Sequence, residues 1–251
     1  MRLQPIKSAV AWVSLGVLAG LGLWGSAAHA LTISPVLVEL SPARQVASIT
    51  ITNPGDRPLS FQTQVRAWSQ PDGADAYADT DELFVVPPIA EIAAGGSQIF
   101  RVTTRTRPSS EEHAYRLIFE DVSEFAAPAT SAGESSISIR VNHNLPVFFA
   151  AAGKLHLLSR LGPCTKTIAL PASTGCVRLD NEGSRYLRVK SLTLEGAHWR
   201  KDINAGTRVL AGAWRQWTFD MPPQLTGSLR VKAETSDGPV TFEWPIPIPA
   251  R

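Results

Sequence analysis

Ser-Ser-Ile-Ser-Ile-Arg-Val-Asn-His-Asn-Leu-Pro-Val-Phe-Phe, running from Ser135 to Phe149, is the stretch from which the rest of the chain is read. Successive side chains of an extended strand point to opposite faces, so Ile137, Ile139 and Val141 share one face. Ser138, Arg140, Asn142 and Asn144 share the other. The alternation continues through Leu145 and Val147, with Pro146 in the polar phase, and predicts one long strand. Proline has no N–H to give a ladder, so Pro146 suits a sheet edge or a strand end. A long edge lined with β-branched side chains templates pairing with another chain. Two readings follow: an ordinary strand covered by the rest of the fold, or an edge that pairs with a partner lacking a strand.

Upstream, strand signals recur with turns between them. Leu31–Leu40 is apolar and β-rich. In Val46–Asn53 the residues Ala47, Ile49 and Ile51 face one way and Ser48, Thr50 and Thr52 the other. Asn53-Pro54-Gly55-Asp56 reads as a turn. Phe61, Thr63, Val65 and Ala67 then oppose Gln62, Gln64, Arg66 and Trp68. Pro71-Asp72-Gly73 turns again and a small polar run follows to Asp81. Glu82–Val86, Ser97–Thr104 and His113–Val122 are further strands, and Ala126–Ser136 is a small-residue loop. About seven short strands with Gly/Pro turns predict a β-sandwich, with an up-and-down barrel as the competing all-β reading.

Ala150-Ala151-Ala152-Gly153 reads as a domain joint. A second all-β set follows: Lys154–Ser159, Gly175–Leu179, Tyr186–Glu195, Thr207–Leu210, Gln216–Met221, Ser228–Thr235 and Val240–Ile246. Trp199, Trp214, Trp217 and Trp244 are expected to pack its core. The expected organisation is therefore residues 1–30 as a leader, 31–150 as one sandwich and 151–251 as another.

The leader has a signal-peptide pattern: Arg2 and Lys7, an uncharged run from Ser8 to Trp24, then Ala28-His29-Ala30 as a small-x-small cleavage site. An uncleaved anchor is the alternative. The whole chain has 24 basic and 22 acidic residues; without Arg2 and Lys7 the two balance at 22 each. That balance gives no basic patch for nucleic acid. In an exported chain, Cys164 and Cys176 are expected to form a disulfide.

Signals for chemistry are absent from the sequence. The mature histidines, His113, His143, His156 and His198, are not at metal-ligand spacing, and no Cys-x-x-Cys, nucleophile elbow or phosphate loop occurs. No catalytic residue, metal, cofactor or small-molecule substrate is expected. Arg66 and Arg101 read either as solvated strand charges or as forked donors suited to a carboxylate.

Taken together, Val46–Pro54, Phe84–Val102 with its Val-Pro-Pro and Ala-Gly-Gly-Ser-Gln-Ile-Phe-Arg-Val, Tyr115–Val122 and Ile137–Phe149 resemble the periplasmic pilus-assembly chaperones, the PapD-like family. The resemblance covers most of residues 31–150. It implies two immunoglobulin-like sandwiches in a boomerang arrangement, a periplasmic location, pilin subunits as clients and an outer-membrane usher as acceptor. It also implies that Ile137, Ile139 and Val141 are donated to fill pockets in an incomplete pilin sandwich. Better-known members hold the pilin terminal carboxylate with an Arg and a Lys; those positions fall here at Leu37 and Pro146. Gln-Val-Arg-Ala-Trp at 64–68 and Leu-Pro-Val-Phe at 145–148 look more like the archaic branch, with Arg101 or Arg66 as the expected carboxylate anchor. The reading from another class is an exported structural or adhesive sandwich protein with no client, and an exported hydrolase has no motif to support it.

Overall fold

The computed structural model describes residues 30–105, 107, 109–123, 140–164, 173–223 and 225–246. Residues 1–29 of the expected leader, the loop expected at 126–136, and Ile137 and Ile139 lie outside them. Among the described residues there are seventeen strands and no α-helix.

The first ten strands enclose one core. They are β1 (Thr32–Ser34), β2 (Val38–Leu40), β3 (Val46–Thr52), β4 (Leu59–Ser69), β5 (Ala76–Asp79), β6 (Leu83–Val86), β7 (Ile89–Ile92), β8 (Ser97–Thr104), β9 (His113–Asp121) and β10 (His143–Phe149). One sheet has the order β1-β3-β8-β6; the other runs β2-β10-β9-β4-β5, with β7 also on β4. Alternation decides which faces meet, because residues two apart share a face. Ile49 and Ile51 of β3 and Phe100 and Val102 of β8 point inward from one sheet, and Phe61, Tyr115, Leu117 and Phe119 from the other. Phe100 and Phe119 meet edge to face at 5.0 Å, the arrangement aromatic quadrupoles favour.

Three local expectations change. Leu31–Leu40 is two strands on different sheets: β1 pairs β3 antiparallel, whereas β2 pairs β10 in parallel. The chain crosses between sheets through Pro35, which has no N–H for either ladder. The polar run before Asp81 contains β5, paired to β4, and β7 follows Pro87-Pro88. Neither has an alternating apolar row, since only Ile92 is buried among their eight residues.

The remaining strands form a second sandwich: β11 (Ser159–Pro163), β12 (Thr174–Asn181), β13 (Leu187–Gly196), β14 (Trp199–Val209), β15 (Trp214–Asp220), β16 (Gly227–Thr235) and β17 (Gly238–Ile246). Its sheets have the orders β11-β12-β15 and β14-β13-β16-β17. Val177, Leu179, Val189, Leu192, Leu194, Leu229 and Val231 fill the core, with Trp199, Trp217 and Trp244 packed against it. Trp214 differs from the expectation: the Arg178 guanidinium lies over its ring at 4.1 Å, and Gly73 of the first sandwich sits so close to the ring that a Cβ would overlap it. The strand expected at Lys154–Ser159 begins only at Ser159. The His156 and Leu158 carbonyls instead accept the Ser184 and Glu182 N–H groups, each at 2.9 Å. Cys164 and Cys176 are joined as expected, with Cα atoms 5.5 Å apart.

One turn occurs twice. Asn53 donates through Nδ2 to the carbonyls of Arg57, Ile92 and Ala93 and accepts the Gly55 N–H on Oδ1. Asn181 donates to the carbonyls of Arg185, Val209 and Leu210 and accepts the Gly183 N–H.

The sandwiches meet through Trp68, Phe148 and Leu210. Gln70 spans the contact, donating to the Arg208 carbonyl and accepting the Leu210 N–H, both at 2.9 Å. Arg215 donates to the Gly73 carbonyl at 2.7 Å and pairs with Asp75.

Candidate functional site

The two edges of β10 are treated differently by the rest of the fold. Along one edge, all seven residues from His143 to Phe149 pair with β9, in a register from His143↔Phe119 to Phe149↔His113. Along the other, β2 pairs only Val147, Phe148 and Phe149. The β2 ladder begins directly after Pro146, the residue with no N–H to offer. Among the described residues, no strand pairs the second edge from His143 to Pro146.

Residues 140–142 pair with no described strand, so the ladder begins at His143; residues 135–139 of the expected long strand lie outside the described residues. Side chains replace the ladder. The Asn142 Oδ1 accepts the Asp121 N–H at 3.2 Å, and Arg140 donates to the Ser123 carbonyl at 3.3 Å. The apolar phase, interrupted by His143, has two destinations. Leu145, Val147 and Phe149 are buried in the core of their own sandwich, while Val141, in the same phase, is 54% exposed.

Beside this bare edge lies an open groove of about 530 Å³, lined by Leu31, Thr32, Ile33 and Val36 on one wall and Asn142 to Leu145 on the other. The crossing from β1 to β2 creates it, because β1 departs to the opposite sheet and exposes what it would have covered. Val36 is 67% exposed at its rim. A groove with an apolar rim beside an edge that no described strand pairs can accept an extended segment or another sheet's edge.

Arg66 and Arg101 are not brought together. Arg66, on β4, is ion-paired to Asp79 at 3.1 Å. Arg101, on β8 of the opposite sheet, is exposed between Ser48 and Val86. Neither lines the groove at β10. Leu37 packs half-buried at the contact between the sandwiches, and Pro146 is buried. Among the described residues no group of three His, Cys, Asp or Glu is placed to hold a metal ion.

The sequence reading missed Leu31, Thr32, Ile33 and Val36 as groove walls. Only Pro35 hinted that the strand breaks and changes sheets.

Residues 30–153 match the family model described as pili and flagellar-assembly chaperone, PapD N-terminal domain. The chain belongs to this chaperone family. Solved structures extend the likeness in fold across both sandwiches. A chain of the CsuC–CsuE chaperone–tip adhesion subunit pre-assembly complex, from the archaic chaperone-usher Csu pili of Acinetobacter baumannii, is similar at a TM-score of 0.61 and 19% identity. That match covers 85% of this chain and 97% of the other. The class 5 fimbriae chaperone CfaA is similar at a TM-score of 0.56 and 14% identity, covering 87% of this chain and all of its own. A chain of the Salmonella enterica SafA pilin–SafB chaperone complex gives 0.54 and 16%, covering 87% of this chain and 97% of its own. No curated protein matches the sequence. As the resemblance implied, the fold is that of a two-sandwich pilus chaperone, and the bare edge of β10 lies within the part matched by the family model.

Proposed function

We propose that this chain is a periplasmic chaperone that binds pilin-type subunits stoichiometrically, lends them the strand upstream of His143, and passes them to an outer-membrane usher. The observation that carries this reading is the second edge of β10, bare from His143 to Pro146 and continued by exposed Val141. A subunit lacking one strand of its sandwich exposes backbone groups and an apolar slot, and a donated strand satisfies both. Ile137, Ile139 and Val141 are the side chains that fill the slot, each contributing roughly 1.5–3 kcal/mol on burial as an upper bound. The signal pattern in residues 1–30 supports export, and the Csu and Saf neighbours were solved with subunits bound. The basic pair of better-known members is replaced by Leu37 and Pro146, which favours the archaic branch. Arg66 and Arg101 are retained as carboxylate anchors for testing by charge reversal.

Ile139→Asp combined with Val141→Asp, co-expressed with a candidate subunit, tests the reading. The expected result is loss of the one-to-one complex recovered with the wild type, with the chaperone itself still folded. Undiminished complex from the double variant would overturn strand donation.

A further inference from the structure

Where the sandwiches meet, at the Phe149 end of β10, lies a cleft of about 720 Å³ with walls from both of them. Two carboxylates in it are already engaged by Tyr186: Glu112 accepts its backbone N–H at 2.7 Å and Glu39 its hydroxyl at 3.2 Å. Five cations line the same space. Arg44 donates to the Glu39 carbonyl at 2.7 Å, and Arg185 pairs with Asp237 at 2.6 Å. Lys154, Arg188 and Lys190 are exposed, and among the described residues no carboxylate pairs with any of them.

The backbone fixes where these three charges stand. Alternation along β13 sends Leu187 and Val189 into the core and Arg188 outward. The registers of β13 with β14 and with β16 both shift between Val189 and Ser191, leaving Lys190 without a ladder partner on either side. A bulge of this kind re-aims a side chain, here into the cleft wall. Lys154 opens a segment that runs to Leu158 outside any strand but tied to the second sandwich. The His156 carbonyl accepts the Ser184 N–H at 2.9 Å, and the His156 N–H donates to Ser184 Oγ at 3.0 Å. That tether holds Leu155 in the cleft wall at 56% exposure, with Leu157 and Leu158 exposed beside it. Leucines kept uncovered by a pinned backbone, next to unpaired cations, mark a surface that another molecule covers.

We propose that this cleft docks an acidic segment of a partner protein, its carboxylates meeting Lys154, Arg188 and Lys190 while its apolar side chains cover Leu155. Charge sets the class of ligand: five cations, against two carboxylates that Tyr186 already holds, leave a positive space. The forked donors of Arg188 suit a carboxylate. Shape selects a polypeptide over an anionic membrane. Cations on the walls of a cleft stand back from a flat bilayer, whereas an extended chain can enter between the sandwiches. The site stands apart from strand donation, because the bare stretch from His143 to Pro146 is the other half of β10.

The test is fluorescence anisotropy on the full chain with a labelled, end-capped octapeptide of alternating glutamate and leucine, and with its glutamine counterpart. The glutamate peptide should bind one to one, and more weakly as salt rises from about 20 to about 200 mM. An exposed ion pair changes affinity about two- to threefold, so Lys154→Gln, Arg188→Gln and Lys190→Gln together should weaken binding about tenfold. Leu155→Ser should also weaken it, and Val141→Asp should leave it unaltered. No saturable binding, equal affinity for the glutamine peptide, a triple variant that binds as the wild type does, or loss of binding in Val141→Asp would each overturn the proposal. So would co-sedimentation with phosphatidylglycerol vesicles that the same triple variant abolishes, which would assign the cleft to a membrane.

Discussion

Asn53 in the first sandwich and Asn181 in the second are both buried at strand ends, and each spends its carboxamide on three carbonyls and one glycine N–H. The sandwiches close their turns in the same way and differ in what they leave open. In the second sandwich, the free edge of β14 carries charge: Arg200 pairs with Glu195 at 2.5 Å and with Asp202 at 3.0 Å. Charges on an edge strand discourage pairing with another chain. The bare edge in the first sandwich has no such guard among Val141, His143 and Leu145, and a groove with an apolar rim runs beside it. One edge is built to repel a partner strand and the other is left able to accept one.

The largest expected effect tests the shared part of the comparison. Asn53→Ala and Asn181→Ala each strand a glycine N–H and take a donor from three carbonyls, of which Ala93 keeps the Gly96 N–H and Leu210 keeps the Ala213 N–H. An unpaired buried group costs about 1–3 kcal/mol, so each variant should lose about 3–5 kcal/mol in chemical denaturation. Similar losses would establish the two turns as equivalent. A loss under about 1 kcal/mol at one of them would break the likeness. Asn181 carries an additional load, because the Leu210 carbonyl it holds belongs to the residue whose N–H is taken by Gln70 of the other sandwich.

The next effect separates the sandwiches. Cys164→Ser with Cys176→Ser opens a short loop whose closure contributes about 3 kcal/mol in the chain-entropy account. The loss should appear in the unfolding of the second sandwich and leave the tryptophan-poor first sandwich unaltered. Following Trp199, Trp217 and Trp244 fluorescence reads the second directly, since all three pack against its core.

How much of this could be read beforehand depended on whether a strand carries an apolar row. The inward phases Ile49/Ile51, Phe100/Val102 and Tyr115/Leu117/Phe119 were legible because each strand has one buried and one solvated face. β5 and β7 were not, since backbone pairing to β4 holds them and no alternating buried row marks them, only Ile92 of their eight residues being buried. The edge-pairing character of Ser135–Phe149 was legible from its alternation and from Pro146. Its upstream limit was not, because the ladder ends where the Asn142 side chain takes the Asp121 N–H, a contact between residues 21 apart in sequence. The joint was the least legible part. Gln70, Glu112 and Tyr186 are polar or amphipathic residues whose partners lie 74 to 147 positions away, so no local pattern marks them.

The smallest expected effect is the sharpest test of the unguarded edge. Val141 and Val147 share one alternating phase, yet Val147 is fully buried in its own core while Val141 is 54% exposed. Replacing an exposed side chain away from packed contacts changes stability by less than about 0.5 kcal/mol. Val141→Asp alone should therefore leave the unfolding midpoint of the free protein nearly unaltered. A drop of 2 kcal/mol or more would mean that this molecule already buries Val141 against itself, for instance by folding the chain upstream of Asn142 back into the groove beside Val36. The edge would then be occupied at home, and the contrast with β14 would disappear.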